Sequence, residues 1–155
     1  MVDVALTWND YGADIELTAD DLRQGNDITT AILTSLFSDL RATDEQLPQG
    51  EQDHRGWWSD FTGTFGSLLW LLEREKTTEG TAEKARQFCL DALNWLISEA
   101  IASSIEIETK LAKPFGLMIS IKVSRGLNKK YDYAWQNISN FDYTFNKTTV
   151  RIDFD

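Results

Sequence analysis

Apolar and polar residues alternate one for one at the start of the chain, where Val2, Val4, Leu6 and Trp8 interleave with Asp3, Ala5 and Thr7. A period of two sends successive side chains to opposite faces, so this segment predicts a half-buried strand. Asn9, Asp10, Tyr11 and Gly12 supply turn chemistry, and Ile15 and Leu17 then alternate with Asp14, Glu16 and Thr18. The pattern predicts an N-terminal hairpin.

At Gly25-Asn26-Asp27 the period changes. Asn26 or Asp27 is placed to cap a helix, and Ile28, Ala31, Ile32, Ser35, Leu36 and Leu40 follow at three- and four-residue steps. From Arg41 to Gln52 the chain is polar and holds Pro48 and Gly50, which predicts a loop. Leu68 to Leu72 is a short apolar run that periodicity alone cannot assign, and a short helix is the favoured reading. A longer helix follows, with Thr78 or Thr81 at the capping position. Its stripe holds Ala85, Phe88, Cys89, Ala92 and Leu96, widened by Leu93 and Ile97, and its end is expected near Ser103-Ser104.

Strict alternation then returns. Ile105, Ile107, Thr109 and Leu111 are set against Glu106, Glu108 and Lys110, and after Pro114 and Gly116 come Leu117, Ile119, Ile121 and Val123. With a third run at Tyr131, Tyr133 and Trp135, these segments predict an antiparallel three-stranded meander with one wet face. Val150, Ile152 and Phe154 make a last strand that either completes this sheet or pairs with a neighbouring molecule. The expected class is α+β: an antiparallel sheet, meander plus N-terminal hairpin, packed against two main helices. One domain is expected, with residues 1–138 as its body and 139–155 as a strand-like tail that holds no core stripe.

Charge narrows the partners. Fifteen basic residues face 25 acidic ones, a formal net charge of −10 with pI about 4.5. Such a surface repels phosphate backbones and anionic lipid, so neither nucleic acid nor membrane is an expected partner. A single cysteine forms no internal disulfide, which fits a reducing compartment. The N-terminus lacks the basic and apolar regions of a signal peptide, and no apolar stretch nears the ~20 residues of a membrane span. A soluble chain made in the cytoplasm is expected.

Catalytic chemistry is sparse. His54 is the only histidine, so neither a histidine-rich metal site nor more than one histidine-based triad can be built, and no phosphate loop or cysteine cluster occurs. His54 reads as a loop residue bonded to a neighbour, and Cys89, on the apolar stripe, as a small core hydrophobe. A glycosidase needs two carboxylates, one with a raised pKa. Asp53 and Asp60, which flank the tryptophan pair, are the best available pair, but 25 acidic residues make any choice of two cheap. No cofactor or metal is expected. The distinctive tract is Asp53-His54-Arg55-Gly56-Trp57-Trp58-Ser59-Asp60 with Gly66 to Lys76, which holds three of the six tryptophans. Trp57 and Trp58 read either as core anchors for a long loop or as interface anchors, since Trp and Arg dominate contact energetics.

The blocks Leu33 to Ala42, Pro48, Arg55-Gly56-Trp57-Trp58, Gly66-Ser67, Leu69 to Leu72, Arg74-Glu75-Lys76 and Ala92 to Leu96 carry more than physics. In order and spacing, from about Val2 to Trp135, the chain resembles the Mu-like phage baseplate protein family. That family is the Mu-type counterpart of the sheath-initiator, or inner baseplate wedge, proteins of contractile tails, sometimes labelled tail-lysozyme-like. The family pattern has a basic residue where Leu40 and Leu68 stand and a glycine where Ser59 stands. The wider group's Glu-Pro-Arg string is missing here, which leaves Arg41 or Arg55 to do its work.

The resemblance implies a non-enzymatic structural protein, present in six copies around the tail axis; the isolated chain is expected to be folded, soluble and mainly monomeric. Its implied partners are the baseplate wedge protein and the tail sheath protein, with the central hub or spike as a further candidate. It would be made in the host cytoplasm and end in the virion. The interface candidates are Arg41, Arg55, Trp57, Trp58, Arg74, Glu75, Lys76, Val150, Ile152 and Phe154. The competing readings are a peptidoglycan hydrolase and a generic interaction adaptor.

Overall fold

The computed structural model describes residues 3–4, 6–9, 12–15, 17, 21–22, 24–25, 27–112, 116–126, 141–145 and 148–154. Two short antiparallel pairs open the chain. Strand β1 (Asp3–Val4) pairs with β4 (Gln24–Gly25), and β2 (Leu6–Asn9) pairs with β3 (Gly12–Ile15). The second pair is the hairpin that the alternation predicts, with Asn9 opposite Gly12.

Helix α1 spans Asp27–Phe37. Ile28, Ile32, Ser35 and Leu36 are buried as the spacing predicts, and Leu33 joins them. Helix α2 spans Glu79–Ser98, and Thr78 caps it by accepting the Thr81 N–H at 3.2 Å. Its buried face is Ala85, Cys89, Ala92, Leu93 and Leu96, while Ile97 is exposed. The helix ends several residues before the expected Ser103-Ser104. Ala100 turns left-handed at φ 56°, the Ile101 N–H reaches the Leu96 carbonyl at 2.9 Å, and the Ala100 N–H reaches the Ile97 carbonyl at 2.9 Å. This Schellman closure satisfies the orphan carbonyls and buries Ile101, which redirects the chain into a strand.

That strand, β5 (Ala102–Ala112), pairs antiparallel with β6 (Gly116–Arg125), placing Ile105 opposite Val123, Ile107 opposite Ile121 and Leu111 opposite Leu117. The next neighbour differs from a simple meander. The segment expected to be the third strand, around Tyr131 to Trp135, lies outside the described residues. The other edge of β6 is taken by β8 (Thr148–Phe154), and in parallel. Strand β7 (Phe141–Phe145) pairs antiparallel with β8 and completes a four-stranded sheet of order β5-β6-β8-β7. The class is α+β, and the sheet is mostly antiparallel with one parallel pair.

The C-terminal segment therefore completes the protein's own sheet. Val150 and Ile152 are 0% exposed and lie in the same core as Ile119, Ile121 and Val123. This corrects the expectation that residues 139–155 carry no core stripe. The alternation of Val150 and Ile152 is itself the stripe, and β8 sits between two strands, where one face must be covered. Helix α2 lies on β5, where the Thr109 hydroxyl donates to the Ala82 carbonyl at 2.9 Å. Helix α1 packs on α2, and the Trp95 indole donates to the Ser35 hydroxyl at 3.0 Å. Burial of Cys89 in this core pushes its thiol up to about 12, which leaves it inert as a nucleophile.

Candidate functional site

The chain between α1 and α2 folds back on itself as a long loop followed by a short 3-10 helix, Leu69–Arg74. Of the run Leu68 to Leu72, the residues from Leu69 on are thus helical, in the tighter form used for short pieces, with Leu68 at the cap. The loop closes where Asp39 bridges Ser67 in parallel. The Ser67 N–H bonds the Ser38 carbonyl at 2.9 Å, the Leu40 N–H bonds the Ser67 carbonyl at 2.9 Å, and the Ser67 hydroxyl donates to the Leu36 carbonyl at 2.5 Å. Gly66 permits this closure. It sits at φ 111°, and a Cβ there would lie 2.5 Å from the Ser38 carbonyl oxygen.

Inside the closure, Trp70 is the anchor. It is 8% exposed, in a small second core with Ala42, Leu68 and Leu71, which Leu40, Leu47 and Phe88 flank. Its indole donates to the Leu40 carbonyl at 2.9 Å. The Arg55 guanidinium lies over the ring, 4.8 Å from the centroid. Arg55 holds a left-handed backbone at φ 45°, and its N–H bonds the Asp53 carboxylate at 2.9 Å. Its guanidinium reaches Glu73 at 3.1 Å and Asp39 at 3.5 Å. The hydrogen bonds to Glu73, above all, hold the guanidinium firmly protonated, against the opposing cost of burial. Burial raises the Asp39 carboxyl above its ordinary range, with Arg55 pulling the other way.

Arg55 is therefore an internal clamp. It joins the end of α1, the loop and the 3-10 helix, and it stacks on Trp70, in the small core that Phe88 of α2 flanks. His54 plays the bland part expected of it, with Nδ1 at 2.7 Å from the Ala42 carbonyl and Nε2 at 3.2 Å from Asp44. Arg41 is exposed, with Nη1 at 3.5 Å from the Arg55 carbonyl. Of the two arginines offered for the missing string, Arg41 is the one that faces solvent.

Beyond Gly56 the loop projects an aromatic tip. Trp57 is 42% exposed, Trp58 85% and Phe61 93%. The Trp57 ring packs against Phe65 at 5.6 Å and edge-on against Trp58 at 6.3 Å. The tip is tied by one carboxylate. Asp60 accepts from the Phe65 N–H at 2.7 Å, the Thr62 hydroxyl at 2.7 Å, the Thr62 N–H at 3.0 Å and the Gly63 N–H at 3.0 Å. These bonds, the Phe65 amide first, hold the Asp60 carboxyl below the usual range. A general acid needs the opposite shift. Asp53, its proposed companion, accepts the Arg55 N–H instead of facing a cleft. Among the described residues, no group of histidine, cysteine and carboxylates could hold a metal ion, and no helix is long and apolar enough to cross a membrane.

The remaining candidates scatter. Arg74 is exposed and pairs with Glu51 at 2.6 Å, Glu75 pairs with Lys84 at 2.7 Å, and the exposed Lys76 gives its carbonyl to the Thr81 hydroxyl at 2.6 Å. Val150 and Ile152 offer no side chain to a partner, and Phe154 is partly buried against the core. The sequence pattern singles out neither Phe61 nor Asp39, and it makes Glu73 part of a solvated charged string, not a partner of Arg55. The string Asp60-Phe61-Thr62-Gly63 carried a usable signal, since Asp followed by Thr-Gly is a turn in which the carboxylate caps its own loop.

Residues 28–130 match the family described as Phage protein GP46. The baseplate protein gp46 of Escherichia phage Mu is 40% identical over 113 residues, covering 71% of this chain and 78% of that protein. The Mu-like prophage FluMu protein gp46 of Haemophilus influenzae is 34% identical over 126 residues, covering 79% of this chain and 87% of that one.

Proposed function

We propose, from the premise that this chain belongs to the phage protein GP46 family, that it is a structural, non-enzymatic component of a phage tail baseplate. Its task there is to join the inner wedge to the first ring of a contractile sheath and to start sheath assembly. The observation that carries the baseplate role is the match itself: it spans α1, the clamped loop, α2, β5 and β6, and the phage Mu relative is named a baseplate protein. The carboxylates fit the non-enzymatic part of the reading. Asp53 and Asp60 are committed to loop amides, and Asp60 is shifted away from the range of a general acid.

For sheath initiation, β5 supplies suitable hardware. It lies at one edge of the sheet, and among the described residues no strand pairs with its outer side. An arm from a sheath subunit adds there through main-chain hydrogen bonds, which ask little of its sequence. Exposed Glu106, Glu108 and Lys110 on β5 guard that edge in the free protein, since charge on an edge strand discourages uncontrolled pairing. Six copies, one per wedge, would ring the tail axis.

The test is genetic and visual. Deleting the gene from an inducible phage or prophage should yield tail tubes without sheath by electron microscopy, restored by the wild-type gene. Sheathed, contractile tails made without this protein would refute initiation. Its absence from purified tails by mass spectrometry would refute the baseplate role itself. The purified protein should leave peptidoglycan suspensions turbid, and clearing would favour the hydrolase reading.

A further inference from the structure

We infer that the loop from Gly56 to Gly66 is a rigid aromatic plug whose anchors, Trp58 and Phe61, seat in an apolar, basic-rimmed pocket on a different chain of the baseplate. The inference rests on the baseplate reading and names a contact that the reading leaves open. Scattered exposed apolar residues are normal on a protein surface. Here, though, two large aromatics within one short loop are 85% and 93% exposed.

The tip is also ordered. Asp60 takes four hydrogen bonds from the loop's own donors, the Asp60 N–H bonds the Trp57 carbonyl at 3.0 Å, and the Trp57 ring meets the Trp58 ring edge-on. Its two ends are fixed by Gly66 against Ser38 and by Gly56, whose Cβ would lie 3.1 Å from Arg41 Cβ. A side chain displayed on a pre-ordered loop loses little conformational entropy on docking, so more of its burial appears as affinity.

Charge selects the occupant. Between Asp39 and Lys76 the chain carries eight carboxylates and four basic residues. Of those basic residues, Arg55 and Arg74 already pair within the molecule. The segment that carries the plug is therefore net negative, and a complementary rim is built from Lys and Arg. A second copy would bring carboxylates against carboxylates, while nucleic acid and anionic lipid are repelled outright. The partner is another protein subunit. Burying two aromatic side chains covers on the order of 300–500 Å², less than the ~800 Å² per partner of a standard interface. The plug is then the energetic centre of a larger contact.

The experiment uses the full chain in complementation of the deleted phage. Trp58→Ala, Phe61→Ala and the double variant should fold and melt like wild type, because neither ring enters the core. Their incorporation into purified tails should fall at least about tenfold, the usual loss for a central anchor. Trp58→Phe should recover most of it. A photoreactive residue at position 58 of an otherwise native chain should crosslink to a different baseplate subunit. Wild-type incorporation of the double variant would overturn the plug while leaving the baseplate reading intact. Crosslinks confined to a second copy, or to glycan, would overturn it equally. Should wild type itself be missing from tails, both readings fall.

Discussion

Truncating Trp70 to alanine is the sharpest test of how the 38–76 region is held together. The ring is 8% exposed, its indole holds the Leu40 carbonyl at 2.9 Å, and Arg55 lies 4.8 Å over its face. Replacing a core aromatic by alanine costs roughly 3–5 kcal/mol. Leaving the Leu40 carbonyl without its donor adds about 1 kcal/mol. In a protein of this size each kcal/mol moves the melting point by about 2–4 °C, so a fall of roughly 8–24 °C is expected. Trp58→Ala provides the internal control: at 85% exposure, it should stay within about 0.5 kcal/mol of wild type. Trp70→Phe keeps most of the packing but loses the indole donor, and should fall between them. Far-UV circular dichroism melts suit the comparison, because either substitution changes the tryptophan fluorescence itself. A Trp70→Ala melt no lower than that of Trp58→Ala would refute the second core as a structural unit.

Four further outcomes are expected. Ala100→Gly should raise stability by about 0.5–1 kcal/mol in denaturant titrations, since Ala100 sits at φ 56°, which only glycine adopts freely. Gly66→Ala should lower it by of order 3 kcal/mol, because the new Cβ meets the Ser38 carbonyl and opens the bonds on either side of Ser67. Asp60 is lowered in the folded state from its ordinary 3.8, so the order it gives to the aromatic tip is complete above that value and is lost as pH falls through the lower, folded one. Amide exchange at Phe65 should report this acid transition, and Asp60→Asn should abolish it. Removing residues 139–155 should unfold the chain, since Val150 and Ile152 alone represent ~3–6 kcal/mol of burial against a typical total of ~5–15 kcal/mol; a native far-UV spectrum from the truncated protein would contradict this.

Local pattern alone determined the two main helices and the strands β5, β6 and β8 of this chain. The strict alternation from Ile105 to Val123 is β5 and β6, and the three- and four-residue steps from Ile28 to Leu36 are α1. Such periods are read within one element, from the side chains that must share a face. What an element pairs with is another matter. The alternation of Val150, Ile152 and Phe154 predicts a strand, yet parallel and antiparallel ladders satisfy its backbone equally, and only the tertiary fold places it beside β6 in parallel. Helix α2 likewise stops at Ser98 because burying Ile101 redirects the chain, a long-range effect that its helical pattern does not contain.

The loop shows the same division. Its tryptophans, glycines and Arg55 stand out in the sequence as an unusual cluster, and an interface-anchor role for the Trp57-Trp58 pair is one of the two readings that the sequence leaves open. Arg55, however, finds Asp39 and Glu73 from positions 16 and 18 residues away. Sequence spacing says nothing of a charge pair closed by a folded loop. Whether an arginine faces a partner or clamps its own chain depends on which carboxylates the backbone brings within about 3.5 Å, and here the closure at Gly66 and Ser67 decided it.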